Sequence, residues 1–296
     1  MPFKRAFATE FPHLDTSSLP ILWVQKWVGP AIRLGMKLKK HLVDKPWGRT
    51  DIPAEFGTMD GRRVGEIWYS VEAEEPHPIL VKWLFTSERL SIQVHPDDAQ
   101  AHARGMPSGK EECWYIVDAK PGAVIGIGTK HPLSGEELHA ASLSGKIEEL
   151  MDWKQVKAGD YFYIPASTVH AIGAGVILVE VQQFADITYR LYDYGRDREL
   201  HLDDGVAISS AKPYSDVRSG HAELGMHLVE GPHFQLWYVR DMDDVPPLPS
   251  SRTIWIIPLS GQVQMDRELA VRGDCLIASD RKKVTFSKGA TALVAF

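Results

Sequence analysis

The chain is 296 residues long, enough for one large core or two smaller ones, and its 44% hydrophobic and 24% charged content is that of a globular protein. A formal net charge of -6 with no Lys/Arg cluster argues against nucleic acid as the main partner. Cys113 and Cys275 are too few and too far apart for a disulfide framework, so a reducing, cytoplasmic setting is expected.

Residues 1–40 read as an N-terminal arm, with a short amphipathic helix expected near 24–39. Lys4 and Arg5 are followed by acidic, Pro-containing sequence without the apolar stretch of a secretory leader. Gln25, Lys26, Pro30 and Arg33 interrupt 19–38, so no membrane span is expected there. From Leu42 onward, short apolar runs are divided by Gly, Pro and Asp. The runs at 79–85, 90–94, 112–117, 123–127, 160–164 and 176–183 predict strands. Two segments predict helices. At 96–104, Pro96 takes an expected first helical position with acids in the first turn. At 134–144, Ser134 precedes Glu137 by three residues, the spacing of a capping box. Many strands and few helices predict a mainly β fold, a barrel or sandwich rather than a parallel α/β sheet.

An internal echo points to two barrels. Lys157-Ala158-Gly159-Asp160 leads into the apolar run 161–165, and Val271-Arg272-Gly273-Asp274 leads into 275–278. The echo predicts one hairpin built twice. The expected division is an arm at 1–40, a metal-binding barrel at 41–205 and a smaller barrel at 206–296. No histidine follows His233, so the second barrel is expected to lack metal ligands.

The chemistry gathers in three stretches: Ser91-Ile92-Gln93-Val94-His95-Pro96-Asp97-Asp98, Gly109-Lys110-Glu111-Glu112, and Ile164-Pro165-Ala166-Ser167-Thr168-Val169-His170. An amide oxygen, a carboxylate and two imidazoles suit a divalent metal with one position left for substrate. Gln93 and His95, two apart on a strand, face the same side, as do Lys110 and Glu112. Glu111 competes with Glu112 as the carboxylate and points to the opposite face. Trp114 shares the parity of Glu112 and is a candidate pocket wall. His102 reads as a helix-surface residue, and Glu66 and Trp68 as parts of a structural strand.

These stretches, with Pro46-Trp47-Gly48, Gly65-Glu66-Ile67-Trp68, Cys113-Trp114-Tyr115 and Asp186-Ile187-Thr188-Tyr189-Arg190, resemble type I phosphomannose isomerases. Those are zinc-dependent members of the cupin superfamily, and the likeness runs from about Lys40 to Arg196 in the order of a short bacterial form. The resemblance implies a bicupin of jelly-roll barrels, with Gln93, His95, Glu112 and His170 holding Zn2+ or another divalent metal. It selects Glu112 over Glu111. It also implies a phosphosugar cleft that contains Arg190 with Lys110 nearby. Both are expected to be catalytic and, with Ser91 and Asp186, to contact substrate; Asp186 could equally orient Arg190 or only make a turn. Longer relatives carry a histidine before the lysine that matches Lys110, where this chain has Gly109, so no role of that histidine transfers.

The implied reaction is interconversion of mannose 6-phosphate and fructose 6-phosphate through a cis-enediol. Lys110 would bind a substrate oxygen or, with a depressed pKa, move a proton. Arg190 would hold the phosphate or the developing oxyanion. The alternatives are a non-catalytic phosphosugar-binding cupin and an iron-dependent redox cupin. The protein is expected to be a monomer or a homodimer, without membrane or nucleic-acid partners.

Overall fold

The structure is a computed structural model that describes residues 35–70, 78–249 and 252–296. The helix expected near 24–39 lies outside the described residues up to residue 34. Beyond it the expectation fails, because Met36–Lys37 is a strand and Lys39–Arg49 another. Met36 and Lys37 find an open strand edge at Ile277 and Leu276, and that pairing fixes them as extended chain.

The described strands form four antiparallel sheets that stack in layers. A central seven-stranded sheet runs in the order Ser219–His221, Asp160–Ile164, Glu112–Ala119, Val176–Gln183, Ile79–Phe85, Val64–Ser70, Lys39–Arg49. On one face it meets a five-stranded sheet, ordered Tyr189–Tyr192, Ile92–Val94, His170–Ile172, Val124–Thr129, Met151–Gln155. Trp47, Leu84, Trp114, Ile116, Ile125 and Leu178 fill the space between. The outer face of the five-stranded sheet is covered by helices Gly135–Ser144, Ile147–Leu150 and Leu202–Ile208, through Leu138, Ala141, Ile147 and Ile208.

The other face of the central sheet packs on the six-stranded sheet of the C-terminal half, with Trp83, Val179 and Tyr163 against Leu236, Trp255 and Leu293. A three-stranded sheet, Glu268–Val271, Gln262–Met265 and Val284–Phe286, closes the second barrel around Val263, Ala270, Ile256 and Val294. Because the central sheet is covered on both sides, Ile79–Phe85 and Val176–Gln183 are buried at every position. That explains why they read as continuous apolar runs instead of alternating ones. The strand Ser219–His221, which lies past residue 205, pairs with Asp160–Ile164 of the first half.

The predicted strands are present with small changes at their ends. The helix at 134–144 appears as Gly135–Ser144, with the Ser134–Glu137 capping box formed in both directions. The helix after Pro96 is shorter than expected, Asp98–His102, and its N-cap is Asp97. Asp97 accepts from the Gln100 N–H at 2.7 Å while Gln100 Oε1 accepts from the Asp97 N–H at 2.9 Å. Pro96 therefore precedes the cap, and its carbonyl is free to accept from Lys110 N.

The internal echo is real, but it is not a hairpin. Gly159 and Gly273 both hold a positive φ, +90° and +86°. Asp160 accepts from the N–H of Lys157 at 2.9 Å, and Asp274 accepts from that of Val271 at 3.1 Å. Neither turn joins paired strands. Met151–Gln155 lies in the five-stranded sheet and Asp160–Ile164 in the seven-stranded one; Glu268–Val271 and Leu276–Ala278 are divided likewise between the three- and six-stranded sheets. The same turn carries the chain from one sheet to the other in each barrel.

Candidate metal centre

The three motif stretches meet inside the first barrel. His170 pairs in register with Gln93, and Arg190 pairs with Gln93 from the other side. Glu112 opens the neighbouring strand of the facing sheet and pairs with Ile164 and Gln182. Across the gap, His170 Nε2 lies 3.4 Å from Glu112 Oε1, His95 Nε2 lies 3.5 Å from Glu112 Oε2, and Gln93 Nε2 lies 3.3 Å from His170 Nε2. One ligand atom from each of His95, Glu112 and His170 lies within 4.8 Å of the others, the spacing of a metal ion's ligands, and all three residues are buried.

The hydrogen bonding around this group favours a cation. His170 Nδ1 lies 2.8 Å from the carbonyl oxygen of Thr168, which makes Nδ1 the protonated nitrogen and turns the Nε2 lone pair inward. Ser167 supports the arrangement with a left-handed backbone, φ +67°, and its N–H donates to His95 O at 2.7 Å. Glu112 Oε1 is buried without a hydrogen-bond donor. A lone pair and a carboxylate oxygen therefore face each other, an arrangement that a positive ion between them relieves. Among the described residues this is the one cluster of His, Cys, Asp and Glu with metal-ligand spacing. Glu112 and not Glu111 belongs to it; Glu111, on the opposite face, is hydrogen-bonded to the Tyr163 hydroxyl.

Lys110 brings a charge to the same atoms. Its Nζ donates to Glu112 Oε2 at 2.5 Å, approaches His95 Nε2 at 3.0 Å, and lies 3.8 Å from Glu180 Oε1. Burial alone would lower its pKa, but Glu112 and then Glu180 raise it above the ordinary lysine value. The depressed value considered from sequence is thus reversed, and Lys110 is an ammonium. Burial, followed by the Lys110 charge, pushes His95 down to about 3. Burial also lowers His170. Glu112 would be raised by burial, but Lys110 and then His95 hold it well below its ordinary value. The imidazoles are neutral and the carboxyl ionised, the forms that bind metal.

A cleft of about 360 Å³ opens beside this group, with Ser91, Gln93, Lys110, Asp186 and Arg190 in its wall. Arg190 Nη1 donates to Glu199 O at 3.1 Å. Trp114 lines the cleft as its parity predicted; its Nε1 donates to Glu180 Oε2 at 3.1 Å, and its ring meets His170 edge-on at 5.5 Å. His102 ends its short helix on the surface.

The sequence reading missed a row of buried charges on the same sheet face. Lys82 pairs with Glu180 at 3.5 Å and lies 4.4 Å from the centre of the Trp68 ring. Glu66 pairs with Lys45 at 3.4 Å and accepts from Trp68 Nε1 at 2.5 Å. Glu66 and Trp68 therefore do more than build a strand, and Glu66 lines the cleft. Arg198, also in the cleft wall, is held by the buried Asp193 through bonds of 2.6 and 2.7 Å. One signal could have revealed Lys82 and Glu180: each is the single charge of its strand and has apolar residues on both sides, and they sit opposite each other on paired strands.

Comparison with known proteins follows the same line. No protein-family model matches the chain. The mannose-6-phosphate isomerase of Streptococcus mutans is 33% identical over 265 residues, 85% of this chain and 81% of that protein. The crystal structure of the mannose 6-phosphate isomerase from Bacillus subtilis superposes with a TM-score of 0.74 at 26% identity, over 89% of this chain and 100% of that one. A mannose 6-phosphate isomerase crystallised with zinc and yttrium shares the fold at a TM-score of 0.65 and 14% identity, over 87% of this chain and 98% of that one.

Proposed function

This chain belongs to the mannose-6-phosphate isomerase family, and from that premise we propose how its residues carry out the isomerisation. It interconverts mannose 6-phosphate and fructose 6-phosphate, an exchange of carbonyl and hydroxyl between adjacent carbons in which one proton moves between the carbons and one between their oxygens. The observation that carries the reading is the convergence of His170 Nε2, His95 Nε2 and the donorless Glu112 Oε1 beside a polar cleft.

His95, Glu112 and His170 would hold the metal, joined by Gln93 once its amide turns Oε1 from Ser91 toward His170, and the ion is taken as zinc because mixed nitrogen and oxygen ligands suit it. When bound, the ion supplies Lewis-acid stabilisation of the negative charge that develops on the sugar oxygens. The remaining work falls to the protein. Lys110, kept as an ammonium by Glu112 and Glu180, donates to a substrate oxygen and offsets the negative charge of the cis-enediolate that precedes the enediol. Glu180, which burial and then Glu112 raise above the ordinary glutamate value, is the cleft carboxyl suited to carry a proton next to Lys110. Arg190 and Arg198 offer guanidinium groups to the phosphate, with Ser91 and Asp186 on the same wall. The barrel at 41–205 holds the site, and 206–296 forms the supporting barrel.

A non-catalytic sugar-binding barrel would not need a buried ammonium on the metal ligands, and the contacts of Lys110 favour an enzyme over that alternative. The test is conversion of mannose 6-phosphate by purified protein, before and after chelation and zinc add-back, with His95→Ala alongside. Metal-restored turnover that is absent in His95→Ala is expected. Turnover that survives both chelation and the substitution would overturn the ligand assignment.

A further inference from the structure

We propose that Asp98 is a positioning residue for the metal centre, acting as a latch between the segment that carries His95 and the segment that carries Lys110 and Glu112. The inference rests on the ligand assignment above and deepens it. Asp98 Oδ1 accepts two hydrogen bonds, from the Gly109 N–H at 2.7 Å and from Gln183 Nε2 at 2.9 Å. Gln183 in turn accepts from the Glu111 N–H through Oε1 at 2.8 Å, and its own N–H donates to Glu111 O at 3.0 Å. The Lys110 N–H donates to Pro96 O at 2.9 Å. Three stretches of chain are thus tied together within a few residues of His95, Lys110 and Glu112.

Gly109 makes the latch possible. A Cβ there would meet the backbone of the His95 segment at 2.4 Å from Asp97 C, 2.6 Å from Pro96 O and 2.7 Å from Asp98 N. No side chain fits without moving that backbone, so Gly109 is part of a backbone-to-backbone joint. The second barrel closes the joint from outside: His233 Nε2 lies 3.9 Å from both Asp98 Oδ2 and Glu111 Oε2.

A latch of this kind sets how well the ligands are prearranged; loss of a partner bonded directly to a ligand typically weakens metal binding by about 10–100-fold, and Asp98, one bond further out, is placed at the lower end of that range. Both latch bonds end on one oxygen, so Asp98→Asn can keep them while Asp98→Ala cannot. The experiment measures zinc affinity by competition with a chromophoric chelator, on wild type, His95→Ala, Asp98→Ala and Asp98→Asn. The expected result is a loss of roughly 10-fold or more in Asp98→Ala and a return to within about 3-fold of wild type in Asp98→Asn. Wild-type affinity in Asp98→Ala, or an equal loss in Asp98→Asn, would overturn the latch and leave the ligand assignment standing. Zinc binding that is unchanged in His95→Ala would overturn the ligand assignment, and the latch with it. Should Asp98→Ala not fold, Gln183→Met, which removes the second arm of the latch, gives the same reading.

Discussion

Lys110, the cation within reach of the candidate ligands, makes a specific demand. Its replacement by methionine removes the charge but leaves His95, Glu112 and His170 in place. Turnover should fall by roughly 10²–10³-fold, the scale of losing one oxyanion partner, while zinc stays bound. Equal losses of rate and metal would instead make Lys110 a structural support. Lys82 makes a different demand. It is buried and paired with Glu180, so Lys82→Met leaves a buried carboxylate short of a partner, and a stability loss of about 3–5 kcal/mol in urea denaturation is expected. An unchanged midpoint would show that Lys110 and Trp114 satisfy Glu180 alone. The four candidate ligands were legible because each stands in a run of distinctive neighbours. Lys82 and Glu180 were harder to value, since the worth of a buried charge depends on partners that only the sheet register brings near.

At the scale of elements, periodicity located the strands because apolar burial dictates it, and the Ser134 capping box was readable because it is wholly local. Strand partners were not readable. The Gly-Asp turns look like hairpins in sequence, and only the topology reveals them as crossings between sheets. The short strand Met36–Lys37 was hidden for a similar reason: its conformation is imposed by a partner at the far end of the chain. The two crossings should respond unequally to an added methyl group. Gly159→Ala and Gly273→Ala each place alanine at positive φ, costing about 1 kcal/mol or more. Gly273→Ala should cost more, because its Cβ would meet the Phe56 ring at 2.9 Å, whereas Gly159 faces the more exposed His221 ring. Thermal unfolding of the two variants compares them directly, and a larger loss at Gly159 would contradict this reading of the joint.

For the whole molecule, the buried centre sets a pH window. The folded chain keeps His95 neutral down to about 3, whereas the unfolded chain protonates it near 6.5. This contribution is complete above pH 6.5 and is lost as pH falls toward 3. Glu112 acts in the same direction, complete above 4.5 and lost as pH falls through its depressed value. Lys110 acts oppositely, complete below 10.5 and lost as pH rises through its raised value. Metal-free protein should therefore gain stability between pH 4 and 6.5 and then level off; a flat urea midpoint over that range would count against a buried neutral His95. The layered stack carries a further consequence, for the making of the chain. Met36 and Lys37 leave the ribosome about 240 residues before Ile277 and Leu276, a delay of tens of seconds at ~5–20 residues per second. Meanwhile the first barrel can close, with Phe56 already against Trp83, but the side of its central sheet bearing Trp83, Val179 and Tyr163 still lacks Leu236, Trp255 and Leu293. Every newborn copy passes through an interval with a broad greasy face in water, and crowded ribosomes would bring such faces together. The pace of translation through the second barrel therefore sets how long that face waits for its cover.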